Sequence, residues 1–416
     1  MQRITKYILA AATALPLFSR AQQAPVLTLD SILQRIDKQN IRLQSYALKA
    51  QAYASSAEAA TTWMAPMVGA GTFMTPYPLQ SVMEPRDKGQ LMLRIEQEIP
   101  NAAKLKAKKE YIASQGAIAN AGRDITLNDF RARAKSLYYT WLVNTEKIKV
   151  AGETERLILV MKKMEEVRYP YNQSQLSSIF KADARIEENR NMVKMFESEI
   201  AKSRAWLNGL MNQPGDYMFS IDTTDIPEYK EQLHDTALLA GKRKDIVQMD
   251  AAINSLKLNI RSMELEKRPN FKIQFDHMSP LAGMMPQAFS VMGMVSIPIV
   301  PWSSKMYKQE TRAMQYNVAS MQKEREAMLN ETHSMLIGMQ YEIIATQQRI
   351  NNFENRIIPS LQKVFDADFQ SYEENKQTVT TVLSDWESLI MMRMNVLDEK
   401  LKLYQMIVNH EKEEYQ

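Results

Sequence analysis

The most distinctive side-chain chemistry in this chain is the thioether. Methionine accounts for 29 of 416 residues. Met278, Met292 and Met294 fall on one side of two short alternating runs, with Met284 and Met285 in the loop between them. Thioethers are soft ligands suited to ions such as Cu(I); they are equally flexible packing groups in apolar cores. Lys272, Gln274 and Asp276 share the methionine side, and Arg94, Glu96 and Glu98 alternate along an earlier run. Catalytic chemistry is harder to assemble. Cysteine is absent, which removes disulfides, thiolate metal sites and a thiol nucleophile. His234, His277, His333 and His410 have no metal-ligand spacing, and no Ser/His/Asp grouping or phosphate-binding loop is present. The sequence predicts neither an enzyme nor a resident cofactor.

The elements that carry these residues follow from periodicity. Phe271–Asp276 and Phe289–Ile297 alternate apolar and polar residues around a loop with Pro280 and Pro286, the pattern of a hairpin with two different faces. Leu91, Leu93, Ile95 and Ile99 alternate with Met92, Arg94, Glu96 and Glu98, and a Gly-containing run precedes them. Strands are therefore expected at about 64–75, 89–100, 270–278 and 288–298. The rest reads as helix. One helix from Thr28 or Asp30 runs to about 63, one from 101 to 168 spans about 100 Å, and one covers 174–211. A second set covers 236–267, 302–369 and 378 to the C-terminus.

This order occurs twice. Ile99-Pro100 recurs as Ile297-Pro298, and Tyr169-x-x-Asn172 as Tyr372-x-x-Asn375, roughly 200 residues later. The sequence thus divides into a first repeat over 22–215, a connector over 216–235 and a second repeat over 236–416. The two hairpin tips fall at about 170–173 and 372–377, where asparagine suits a left-handed reversal. Ahead of the first repeat, 1–21 reads as an export signal: Arg3 and Lys6 precede an apolar run, and cleavage is expected near Gln22.

Composition narrows the environment. With 24% charged residues and 45% hydrophobic, the chain is too polar for a bundle of membrane helices. A net charge of +4 carries no argument for nucleic acid. Strands of about 9–11 residues with one apolar and one polar face suit a membrane barrel, lipid outside and lumen inside. Four strands cannot close, and open edges are not tolerated in hydrocarbon. Such a barrel requires several copies of the chain.

The chain resembles the TolC-type outer-membrane efflux proteins. The resemblance rests on the duplicated helix–hairpin–helix order, the strand ends Glu98-Ile99-Pro100 and Ser296-Ile297-Pro298, the tips at Tyr169–Asn172 and Tyr372–Asn375, and Arg268-Pro269 and Ile358-Pro359. It implies a mainly α fold with a membrane β-barrel part. Three chains of four strands would close a 12-stranded barrel on a long helical tunnel. It further implies a homotrimer in the outer membrane of a Gram-negative bacterium, its tunnel in the periplasm, with a periplasmic adaptor and an inner-membrane pump as partners. Arg94, Glu96, Glu98, Lys272, Gln274 and Asp276 then line the lumen. Tyr169, Asn172, Tyr372 and Asn375 mark the tips, and Thr381 and Ser384, with Asp385 alongside, stand where the family often carries gate aspartates. Asp366, Asp368, Glu373 and Glu374 surround the second tip. The stretch 169–181 looks like the heavy-metal (copper and silver) branch, with Met278, Met292 and Met294 as candidate metal ligands. A protein-secretion duct and a soluble periplasmic coiled-coil scaffold, its hairpins packed on the helices, are the alternatives.

Overall fold

The computed structural model describes residues 25–78, 80, 84, 88–231, 236–281 and 286–415. The expected export signal, the end of the connector with His234, and Met284 and Met285 lie outside them.

Helices dominate. In the first repeat β1 (Val26–Leu27), α1 (Leu29–Gln39) and α2 (Ile41–Ala59) lead to β2 (Met67–Phe73), β3 (Gln90–Ile99), the 67-residue α3 (Ala102–Arg168) and α4 (Leu176–Leu210). After β4 (Ser220–Ile221), which pairs in parallel with β1, the second repeat follows. It comprises α5 (Thr236–Lys242), α6 (Lys244–Glu264), β5 (Phe271–Pro280), β6 (Ala288–Val295), α7 (Pro301–Asn352), α8 (Ile358–Glu373) and α9 (Val379–Glu414). The helix–strand–strand–helix–helix order is duplicated as the sequence indicates.

Several boundaries differ from the sequence reading. The strand expected at 64–75 is limited to β2, and β6 stops at Val295 rather than 298. β5 runs two residues past 278, to Pro280, paired with β3 throughout. The first helix, expected to be continuous to residue 63, breaks at Asn40. There the backbone turns extended (φ −68°, ψ 120°), and the Asn40 Oδ1 accepts from the N–H groups of Arg42 and Leu43, capping α2. Its Nδ2 donates to the Leu210 carbonyl at 2.9 Å, so the end of α4 is sewn to the start of α2.

The second repeat has the same joint with different chemistry. The helix expected over 236–267 breaks at Arg243 (φ −65°, ψ 120°). The Arg243 guanidinium donates to the Glu413 carbonyl at 2.9 Å, and pairs with the carboxylates of Asp245 and Glu413. The long helix expected over 302–369 also carries a break. A π-helical turn at Phe353–Ile357 joins α7 to α8, because Pro359 has no N–H to continue the ladder.

Length explains the packing. α2 lies antiparallel to the first half of α3, with Tyr46 against Thr126 and Glu58 against Lys109. α4 lies along its second half, with Asn189 against Ala151 and Asp183 against Lys162. Two shorter helices end to end thus match one helix of about 100 Å. The main core, where α1, α3, α9 and the β1–β4 pair converge, includes Ile32, Tyr138, Trp141, Leu207, Phe219 and Ile407. A second core nearer the tips joins Met161, Phe365, Leu383, Trp386 and Leu389.

Candidate functional site

Two regions position the chemistry foreseen from sequence: a sheet at one end of the helices and a pair of turns at the other. The sheet has the order β2-β3-β5-β6, antiparallel throughout, so pairing of β3 with β5 fuses the two hairpins into one surface. Among the described residues nothing pairs with either outer edge, β2 or β6.

Register separates the faces. Val68, Ile95, Phe275 and Val291 form one row across all four strands, all exposed. Leu91, Leu93, Phe271, Ile273, Phe289 and Val295 extend the same apolar surface. Among the described residues no helix packs on it. Trp63 and Trp302, the latter 81% exposed, flank the helix-side end of the strands, and exposed Tyr77 lies beyond the other end. An apolar band rimmed by aromatics is the pattern that membrane barrels present to lipid. A soluble scaffold with its hairpins packed against helices would bury this face instead.

The opposite face is polar and internally paired. The Arg94 Nε donates to Asp276 at 2.7 Å, the Gln274 Nε2 donates to the same carboxylate at 2.6 Å, and Lys272 pairs with Glu96. Gln274 and Asp276 are only 6% and 4% exposed, so an ionised Asp276 depends on Arg94 and Gln274. All six polar residues singled out in sequence therefore share one face. The methionines are less convergent. Met278 stands opposite Ala288 and Met92, whereas Met292 and Met294 stand opposite Gln274 and Lys272, further toward the helices. Met92 and Met67 lie on this face as well, and parity identifies both. Among the described residues no group of three or more His, Cys, Asp or Glu is arranged to hold a metal ion.

At the far end the two turns meet. Asn172 and Asn375 both adopt the left-handed conformation, each at φ 59°. Tyr372 is 2% exposed and donates its phenol to Glu165 on α3 at 2.5 Å. The Ser174 hydroxyl donates to the other oxygen of that carboxylate. Arg168 stacks its guanidinium 4.2 Å from the Tyr372 ring and donates to the Tyr372 carbonyl at 3.2 Å. Burial, and then the Glu165 hydrogen bond, push the Tyr372 phenol above its ordinary range, which keeps it a donor. Together these contacts tie the first turn to the second across a polar cleft of about 550 Å³.

The remaining tip residues play separate parts. Tyr169 is exposed, in a 3-10 turn ahead of Asn172. Thr381 donates its N–H to the Thr378 hydroxyl that caps α9, and Ser384 is exposed. Asp385 is raised above the ordinary carboxylate range, first by burial and then by the adjacent Asp368. Its Oδ2 is sealed from solvent without a donor. Glu165 and Arg168 were not foreseen. Glu165 occupies the apolar stripe of α3, four residues after Met161, and a charge on such a stripe is the available signal.

Comparison with solved structures matches this geometry. The outer-membrane channel OprN aligns with a TM-score of 0.74 over 93% of this chain and 89% of its own, at 12% identity. CusC, solved in a study of folding and transmembrane channel formation, aligns with a TM-score of 0.74 over 99% and 98%, at 14% identity. The outer membrane protein VceC of Vibrio cholerae aligns with a TM-score of 0.70 over 93% and 95%, at 15% identity. The chain has the outer-membrane channel fold. No protein-family model matches the sequence, and no curated protein does. Within this fold the helical rod stands on a strand region, as the TolC-type resemblance implies. Among the described residues no helix is long and apolar enough to cross a membrane.

Proposed function

We propose that this chain is the subunit of a trimeric exit duct in the outer membrane of a Gram-negative bacterium. The observation that carries the reading is the four-stranded sheet whose exposed apolar face meets no helix, and whose two edges meet no strand, among the described residues. Unpaired backbone groups cost several kcal/mol each in hydrocarbon, so β6 of one copy must pair with β2 of the next. Three copies supply 12 strands. The paired polar face then lines the lumen, and the rods continue the passage through the periplasm to the tips.

The duct serves a tripartite efflux system. Its tips meet a periplasmic adaptor joined to an inner-membrane pump, and the pump supplies the energy. In this reading the Tyr372–Glu165–Arg168 contacts hold the tips in register while the duct is at rest. Cargo is small toxic molecules or heavy-metal ions. The test is direct: purify the protein from the native envelope, determine its oligomeric state, and measure conductance in planar bilayers. A trimer from the outer-membrane fraction that conducts supports the duct; recovery in the soluble periplasm as a monomer overturns it. Deleting the gene and screening growth against copper, silver, zinc, bile salts and dyes then identifies the cargo class.

A further inference from the structure

The pairing on the polar face of the sheet has a consequence for which solutes the passage favours. On β3 and β5 that face carries two cations, Arg94 and Lys272, and three carboxylates, Glu96, Glu98 and Asp276. The residues of β2 (Met67, Gly69, Gly71, Phe73) and β6 (Ala288, Ser290, Met292, Met294) on that face are uncharged. Arg94 is matched to Asp276 at 2.7 Å. Lys272 stands opposite Glu98 in register, yet its ammonium reaches past it to Glu96 on the next row. Among the described residues Glu98 is left with a neutral partner: the Asn270 Nδ2 donates to it at 3.5 Å.

We infer that Glu98 sets the charge preference of the strand region, as a carboxylate with no cationic partner among the described residues, repeated around the helix-side end of an otherwise paired strand face, favouring cations. This rests on the duct reading, since the carboxylates form a ring only if the chain closes with copies of itself. Paired charges present nearly cancelling fields a few ångströms away, whereas unpaired like charges in a low-dielectric collar add and concentrate counter-ions. Rings of acidic side chains are a general means of cation selection. Compensation elsewhere on the face keeps it wetted without holding the solute.

The test uses the assembled protein and two readouts. Glu98→Gln keeps the shape and the Asn270 contact while removing the charge. In bilayers under a KCl gradient its reversal potential shifts toward the anion side of wild type. Arg94→Gln, which leaves Asp276 unmatched, shifts it the other way. An unchanged potential in Glu98→Gln overturns the assignment.

The second readout does not depend on conductance. The chain lacks cysteine, so Met294→Cys supplies a single thiol in the row of Glu98 and Lys272, about 10 Å from Glu98 at the usual strand spacing. Its rate with a cationic thiosulfonate relative to an anionic one falls when Glu98→Gln is added. A thiol that reacts with both reagents at an unaltered ratio overturns the role of Glu98 and leaves the duct intact. A thiol reached only by a lipid-soluble maleimide overturns the duct and this inference together.

Discussion

The Tyr372 phenol donates to the Glu165 carboxylate at 2.5 Å, joining the end of α8 in the second repeat to the end of α3 in the first. Both groups are almost fully buried, and hydrogen bonds to buried charged groups are among the stronger single contacts. Tyr372→Phe is therefore expected to destabilise the tips by about 1.5–3 kcal/mol. It leaves Glu165 with Ser174 alone. Hydrogen exchange should quicken in 165–180 and 370–380 and stay unchanged in the strands. Equal protection in both proteins would show that the contact contributes nothing.

Asp385 predicts a pH effect of defined sign. Burial, and then Asp368, raise its carboxyl, so the folded state holds its proton more tightly than the unfolded chain does. The stabilisation is complete below the ordinary carboxylate range and is lost as pH rises from there through the raised value. Asp385→Asn removes the ionisation. Thermal melts across a pH series should show wild type losing stability over that window and the variant losing less. A variant that tracks wild type would refute the assignment.

The strand faces predict opposite tolerances. Phe275 lies in the middle exposed row with Val68, Ile95 and Val291, so in the proposed barrel Phe275→Arg places charge in lipid at roughly 2–4 kcal/mol. Val295→Arg, nearer the interface, costs less. Ser290→Arg points the same charge at the polar face and should assemble. Membrane-inserted trimer, scored by gel mobility before and after heating, separates the outcomes.

Asn172 and Asn375 predict a substitution pattern. At φ 59° a β-carbon is strained by roughly 1–2 kcal/mol, and asparagine tolerates the conformation better than most residues. Asn375→Ala should lower the melting temperature and Asn375→Gly should not. The same ordering is expected at Asn172.

The Asn40 joint predicts a larger loss. Asn40→Ala removes the α2 cap and strands the Leu210 carbonyl, together about 1–3 kcal/mol. Chemical denaturation measures it. Serine at this position should recover the cap contribution only.

Much of this architecture is written in local pattern. Period-2 alternation in Leu91–Ile99 and Phe271–Asp276 defines which residues share a face, because successive strand side chains point to opposite sides. The three- and four-residue steps of α3, the recurrence of Tyr-x-x-Asn and the absence of cysteine are likewise properties of the chain read in one dimension. They determined the duplicated helix–hairpin–helix order, the two faces of each strand and the left-handed tips. What required the tertiary structure are relations between residues distant in sequence. The break at Asn40 was not legible, since no proline or glycine interrupts the pattern there, and at Arg243 the one local signal is Gly241 two residues earlier. Each exists because its side chain serves a carbonyl 170 residues away. The same holds for Tyr372 with Glu165 and for Lys272 choosing Glu96 over Glu98. Local sequence dictates the face on which a side chain stands; only the packing of one repeat on the other decides which partner it meets.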